Sequence, residues 1–298
     1  MTGFGDAEAF RASVEQRIRN ASQASGTPHD RLRKDTAFNR LVARFVAAGD
    51  DRWALKGGVA LLWRVAVDAR ATRDVDANWH GTTSDLEAFL DGAVEADMDD
   101  WFEFEIAPPR PLQGETEKGL RFGVTALLAG REFSAFRLDV NLVSDDRPVE
   151  TIRIRQPLLS SMGLGDLDVP MISIAQQLAE KLHAVTRTYA SGDSSRAKDA
   201  YDTMLFAQAG LLPEAGVLRS AVVDTFMVRD TRVPRAAPSI PADWRGVLVS
   251  LLDAFGLAAI EDVEALEGGW MSLWQPIVNG GASDSASWNI ETCSWEAS

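Results

Sequence analysis

A chain of 298 residues with 46% hydrophobic and 25% charged side chains has the composition of a soluble globular protein, with enough apolar surface for one large domain or two modest ones. Acidic residues outnumber basic ones 44 to 30, and the resulting charge of −14 argues against a protein that coats nucleic acid with its whole surface. The single cysteine, Cys293, excludes an internal disulfide or a Cys-rich zinc site, and the opening "MTGFGDAEAF" and the absence of a long apolar run predict no membrane partner and a cytoplasmic location.

Residues 6 to 48 read as two helices separated by "GTPHD", the second closed by Gly49 as a C-cap. "WALKGGVALLWRV" reads as a short strand, a Gly-Gly turn and an apolar helix. A strand over residues 72 to 79 follows, then an acidic amphipathic helix, "SDLEAFLDGAVEADM", with Ser84 as its expected N-cap. "WFEFEIA", "RFGVTALLAG", "EFSAFRLDVNLV" and "TIRIRQ" read as strands, with "AGRE" turning a hairpin, so this half is a mixed sheet with helices. After "LDVPMIS" the texture becomes helical. Ser173 and Gln176 form a capping-box pattern, "SGDSS" breaks before "RAKDAYDTMLFAQAG", Pro213 suits the first turn of the next helix, and two more helices are expected near 241–255 and 259–278. The Gly- and Ser-rich end reads as a tail that Trp288 and Trp295 are able to dock. The expected organisation is N-terminal helices over 1–50, a sheet-bearing core over 51–165, a helical domain over 166–280 and a tail over 281–298.

Charge is unevenly spread. Every charged residue from Asp85 to Glu105 is acidic, whereas the first 50 residues carry Arg11, Arg17, Arg19, Arg31, Arg33, Lys34, Arg40 and Arg44. A local basic groove and ordinary solvated helix faces are both open readings of these cations.

The chemistry-bearing stretch is "TRDVDANW". In a strand, alternate side chains share a face, so Asp74 and Asp76 point together while Val75 enters the core. Two neighbouring carboxylates call for a compensating charge, and their oxygens suit Mg²⁺. Gly57 and Gly58, preceded by Lys56, stand between a strand and a helix, where backbone N–H groups can approach a phosphate. Asp139 in "FRLDVNL" offers a third carboxylate on another strand. Together these residues predict two metal ions ~4 Å apart and phosphoryl or nucleotidyl transfer. Taken singly, each has an ordinary structural role: a tight turn, an exposed acidic pair, a salt bridge. Thr72 shares the aspartates' face and is a candidate nucleotide contact, while Arg73 should face the other way.

"LKGGVALLWR", "RATRDVDANW" and "FRLDVNL" resemble the nucleotidyltransferase superfamily with the DNA polymerase beta type of fold, and more closely its AbiEii/MenT toxin branch. The chain departs from the superfamily's usual Gly-Ser by having Gly-Gly, and the interval to the aspartate pair is longer. "AEKLHA" and "RAKDAYD" are similar to the Lys-bearing helix and Lys-Asp motif of these toxins. The resemblance implies an α+β fold, a nucleotidyltransferase mixed sheet with flanking helices followed by a helical C-terminal domain. It implies Asp74, Asp76 and Asp139 as metal ligands for Mg²⁺, with Asp139 also helping to deprotonate the acceptor. Lys56, Gly57, Gly58, Thr72, Lys181 and Lys198 become nucleotide contacts, Lys181 as the triphosphate lysine with Asp199 orienting it. Asp202 shares the helix face of Asp199, and Tyr201 and Leu205 are expected to pack. The implied activity is transfer of a nucleoside monophosphate from an NTP to the 3′ end of tRNA by a toxin with a cognate antitoxin. A small-molecule or protein hydroxyl as acceptor, and a non-enzymatic nucleotide-binding module, stay open at this point.

Overall fold

A computed structural model describes residues 4–65, 72–112, 118–144, 147–155, 157–187 and 196–297. The "SGDSS" break and residues 70–71 of the "RATRDVDANW" stretch lie outside them. The chain forms two compact units, Met1–Ala60 with Ala71–Met171, and Leu61–Arg70 with Ile172–Ser298.

The first unit opens with helices α1 (Ala7–Ser25) and α2 (His29–Ala48). Asp6 caps α1 by accepting from the Ala9 amide at 2.7 Å, and Gly49 ends α2 in the left-handed conformation that its missing Cβ permits. Then come β1 (Trp53–Lys56), the start of α3 (Gly57–Val65), β2 (Asp74–His80), α4 (Thr83–Glu95), β3 (Phe102–Ile106), β4 (Arg110–Pro111), β5 (Lys118–Leu128), β6 (Arg131–Val143), β7 (Val149–Ile154), α5 (Pro157–Ser160) and β8 (Leu167–Ile172). Among the described residues the strands form one mixed sheet in the order β3-β5-β6-β2-β1-β8-β7, with β4 beside β5. β2 runs parallel to β6 and antiparallel to β1, and β5 and β6 form the hairpin expected around "AGRE".

One face of β2 is core: Val75, Ala77 and Trp79 are buried, and Trp79 meets Phe89 of α4 with ring centroids 5.0 Å apart. A one-residue slip of β2 would exchange these side chains for two aspartates, so the apolar face fixes the register. The N-cap of α4 is Thr82, not Ser84. Thr82 and Asp85 close a reciprocal capping box that starts the helix earlier than a Ser84 cap would.

Arg40 and Arg44 belong neither to a basic groove nor to a solvated face. Both are buried on α2 around the buried Asp100, which accepts from Arg40 Nε at 2.8 Å and Arg44 Nη2 at 2.8 Å. Arg11 is likewise spent on the carbonyls of Leu128 and Arg131, and Arg33 pairs with Glu15.

The second unit is helical: α6 (Ile174–Thr186), α7 (Ala197–Gln208), α8 (Ala215–Val228), a 3-10 turn at Ala242–Trp244, α9 (Arg245–Phe255) and α10 (Val263–Val278), closed by a small hairpin of β9 (Ser287–Asn289) and β10 (Ser294–Glu296). Trp270, Trp274, Tyr201 and Phe206 are fully buried in its core, and Leu205 packs with them. Ser173 caps α6 by accepting from the Gln176 amide at 3.1 Å, but the Gln176 side chain turns to Glu180 and Thr225, so only half of the capping box forms. Pro213 precedes Glu214, the N-cap of α8, and so lies outside the first turn it was expected to occupy. The terminal segment is docked through Trp295, whose indole N–H donates to the Leu273 carbonyl at 2.9 Å. Among the described residues no helix is long and apolar enough to cross a membrane.

The mixed sheet with flanking helices, followed by a helical unit, is the architecture the sequence implies.

Candidate active site

Strand register assembles the site. Across the sheet, Lys56 of β1 stands opposite Asp76 of β2, Asp76 opposite Asp139 of β6, and Asp139 opposite Arg121 of β5. Side chains at paired positions share a face, so these four form one row, and Asp74 and Arg137, themselves paired, lie two residues upstream on the same face. The intervening Val75, Leu138 and Phe122 enter the core on the other side. Asp74, Asp76, Asp139 and Lys56 are thus brought together as expected.

The Gly57–Gly58 turn closes against this row. Gly57 has φ +66°, and a Cβ placed on it would lie 2.2 Å from Asp76 Oδ2. A Cβ on Gly58 would lie 2.6 Å from Thr72 Oγ1. Any side chain at either position would therefore displace a site residue. The Gly-Gly pair has its reason here: Thr72 occupies the space that a serine at position 58 would need, and so offers a hydroxyl from the other side of the turn. That hydroxyl donates to the Asp74 carbonyl at 3.1 Å. The Gly58 amide donates to the Asp76 carboxylate, so one amide of the expected phosphate cradle is engaged by a site aspartate. Arg73 is exposed.

Two residues that sequence reasoning missed complete the face. Arg121 forks Asp139, with Nε to Oδ1 at 2.8 Å and Nη2 to Oδ2 at 2.6 Å. Arg137 forks Asp74, with Nε to Oδ1 at 2.7 Å and Nη2 to Oδ2 at 3.2 Å. The alternation in "FRLDVNL" already put Arg137 on the face of Asp139, whereas Arg121 becomes visible only through the β5·β6 register. Its hydrogen bond to Asp139 raises the Arg121 guanidinium above its ordinary value.

Asp76 is the perturbed acid. Desolvation pushes its pKa up to about 6; Lys56 opposes the rise, Asp139 and Asp74 add to it, and the Gly58 amide opposes it. A half-buried carboxylate flanked by two others is a place for a cation. Three hard oxygen donors on one face suit Mg²⁺ in chemistry. As the side chains stand, no group of three among the described residues closes on a single point, because Asp74 and Asp139 are turned to their arginines. The donor set fits a divalent metal once those forks open.

In the second unit, Lys181 of α6 donates to Asp199 Oδ1 at 2.9 Å and Asp202 Oδ2 at 2.8 Å, both on α7. Asp202 is fully buried, and Asp199 also receives Arg196 at 3.3 Å. The three-residue spacing on α7 puts both carboxylates on one face, where they hold the ammonium. Lys198, on the same helix, is exposed.

The model of the nucleotidyl transferase AbiEii toxin family, a type IV toxin–antitoxin system, matches residues 40–269. The chain belongs to this family. As an AbiEii protein it is an NTP-dependent nucleotidyltransferase and a toxin of that class. Among solved structures it is similar to MenT4, a nucleotidyltransferase toxin from Mycobacterium tuberculosis H37Rv, at 20% identity over 86% of this chain and 92% of that one with a TM-score of 0.54, which shows a shared fold. A structure of JHP933 from Helicobacter pylori matches at 14% identity, over 89% of this chain and 95% of that one, with a TM-score of 0.46. No curated protein matches the chain.

Proposed function

We propose that this AbiEii protein transfers a nucleoside monophosphate from an NTP to the terminal 3′-hydroxyl of tRNA, using the carboxylates of β2 and β6 to hold Mg²⁺, and thereby blocks aminoacylation. The observation that carries the reading is the in-register row Lys56–Asp76–Asp139–Arg121 beside a turn that has room only for glycine.

In this reading Asp74, Asp76 and Asp139 would be the ligands of two Mg²⁺ ions. Bound metal supplies charge neutralisation at the α-phosphate and lowers the pKa of the attacking hydroxyl. Lys56 and the Gly57 amide hold the triphosphate, joined by the Gly58 amide once Asp76 turns from it to the metal and by the Thr72 hydroxyl once it leaves the Asp74 carbonyl. Asp139, freed from Arg121, accepts the proton of the acceptor hydroxyl. The acceptor oxygen bonds to the α-phosphorus as the bond to the β-phosphate oxygen breaks, and pyrophosphate leaves with that electron pair. The motif resemblance gives Lys181 the role of a triphosphate cation, Asp199 that of orienting it, and Lys198 that of a nucleotide contact. A cognate antitoxin is the expected protein partner, and the cytoplasm the expected location.

A cationic small-molecule acceptor is the second reading. It is favoured by the charge of −14 and by the commitment of Arg11, Arg33, Arg40 and Arg44 to internal partners, which leaves less basic surface for RNA.

The test is incubation of the purified protein with Mg²⁺, each of the four NTPs labelled on the α-phosphate, and one of three acceptors: total bacterial tRNA, the same tRNA oxidised by periodate at its 3′ diol, or an aminoglycoside. Label entering only intact tRNA supports the first reading. Label entering an aminoglycoside while tRNA stays unlabelled moves the assignment to the second, and label that survives periodate oxidation overturns the 3′-end assignment.

A further inference from the structure

Both oxygens of Asp139 accept from Arg121 and both of Asp74 from Arg137. Lys56, Arg121 and Arg137 thus stand on the same sheet face as three carboxylates, so that the protein itself can balance the charge of the row. A carboxylate forked by a guanidinium has its lone pairs engaged and its charge compensated, which makes it a poor metal ligand and a poor base. Asp139 can serve the proposed chemistry only if Arg121 is given another anion. Arginine is suited to that exchange, because its planar fork matches phosphate as well as carboxylate.

Strand order indicates which phosphate that is. Lys56 and the Gly57–Gly58 turn lie at the β1 end of the row, and Arg121 lies at the β5 end, beyond Asp139. With strands ~4.8 Å apart, about 14 Å of sheet separates the two ends. A triphosphate seated at the turn fills the β1 end and presents its α-phosphate to the carboxylates, so the incoming hydroxyl and its chain arrive from the β5 end. The Arg121 side chain is 39% exposed there, against 12% for Asp139, and can therefore be reached by a large acceptor.

We propose that Arg121 is a positioning residue on the acceptor side: it holds Asp139 in reserve until a phosphodiester of the RNA acceptor takes the guanidinium, which opens Asp139 to the divalent cation. Acceptor binding and metal binding then reinforce each other, and idle turnover of NTP without acceptor is suppressed. This rests on the assignment of Asp139 as a metal ligand under the proposed function.

The test is Mn²⁺ binding to the full-length protein, followed by electron paramagnetic resonance with a non-hydrolysable NTP present, with and without total bacterial tRNA, for wild type, Arg121→Gln, Arg121→Lys and Asp139→Asn. In the wild type, tRNA is expected to tighten Mn²⁺ binding. Arg121→Gln should bind Mn²⁺ roughly three- to tenfold tighter without tRNA and lose the tightening by tRNA, a range set by an exposed but bidentate ion pair. Arg121→Lys, which keeps the charge without the fork, should fall between. In turnover, Arg121→Gln should raise KM for tRNA while leaving KM for the NTP unchanged, and the salt dependence of tRNA binding should lose about one phosphate contact. An Arg121→Gln protein whose Mn²⁺ affinity and tRNA coupling equal those of wild type would reduce Arg121 to a structural ion pair; a wild type in which tRNA leaves Mn²⁺ binding unchanged overturns the RNA phosphodiester as the group that frees Asp139, and the inference with it, whether or not tRNA is labelled in turnover. If Asp139→Asn binds Mn²⁺ as wild type does with tRNA present, the metal-ligand assignment falls and this inference falls with it; weakened binding in Asp139→Asn with tRNA, beside an inert Arg121→Gln, rejects the inference alone.

Discussion

Replacing Asp76 by asparagine should stabilise the protein while abolishing its activity. Desolvation and the neighbouring carboxylates hold Asp76 at about 6 in the folded chain, against an ordinary value of 3.8. The folded state therefore binds this proton more tightly than the unfolded chain does. Between roughly pH 4 and pH 6 stability falls as pH rises, and above that window the full penalty of a charged Asp76 is present. A rise from 3.8 to about 6 is worth at most about 3 kcal/mol, and partial access of water to the half-buried carboxylate brings this to about 2 kcal/mol. Asparagine has nearly the shape of the protonated acid and can still accept from the Gly58 amide. At pH 7.5, with a chelator present to remove stray metal, Asp76→Asn should melt about 4–8 °C above wild type, and the difference should vanish near pH 4. Thermal denaturation followed by tryptophan fluorescence at several pH values reads this directly. A variant that melts at or below wild type at pH 7.5, or a difference that persists unchanged at pH 4, would refute the electrostatic account of the site.

Other substitutions separate site geometry from stability. Gly57→Ala and Gly49→Ala impose the same backbone strain, at φ +66° and +67°, but only at position 57 would the new Cβ strike Asp76, while nothing lies within 4 Å of position 49. Gly49→Ala should cost about 1–2 kcal/mol in a denaturant titration and Gly57→Ala more, because its Cβ must also displace Asp76, and only Gly57→Ala should abolish nucleotidyl transfer; equal activities would remove the turn from the site. Lys181→Ala takes a cation from the fully buried Asp202 and should cost about 3–5 kcal/mol, much of it restored by adding Asp202→Asn, with melting temperature as the readout. If the double variant is no more stable than the single one, the ion pair is not what holds α6 to α7.

Much of the fold and half of the site were legible from local pattern. The alternation in "DVDANW" put Asp74 and Asp76 on one face and Val75 in the core because strand side chains have period two, a property of the segment alone. The Gly-Gly turn was legible as a close approach, but not what it approaches: Asp76 and Thr72 come from a strand that reaches it through the β1·β2 pairing. Arg121 was hidden for the same reason, since a residue on one strand acquires its partner on another only when the register is set. The cap of α4 shows a local ambiguity. Thr82 with Asp85 and Ser84 with Glu87 have the same capping-box spacing, and the earlier pair prevails. The sequence leaves Arg40 and Arg44 of α2 between a groove and a solvated face because a buried guanidinium is costly unless paired, and Asp100, the residue that pairs them, lies 56 positions from Arg44 in the chain.

The most direct test of the central claim is single-turnover pyrophosphate release from Mg²⁺ and NTP in the presence of tRNA, comparing wild type with an Asp74→Ala protein shown by circular dichroism to be folded. The account predicts release by wild type, coupled one-to-one to label in tRNA, and none by Asp74→Ala. Full release by Asp74→Ala would contradict it, because the row of carboxylates would then be a structural charge cluster and the transfer chemistry would lie elsewhere in the chain.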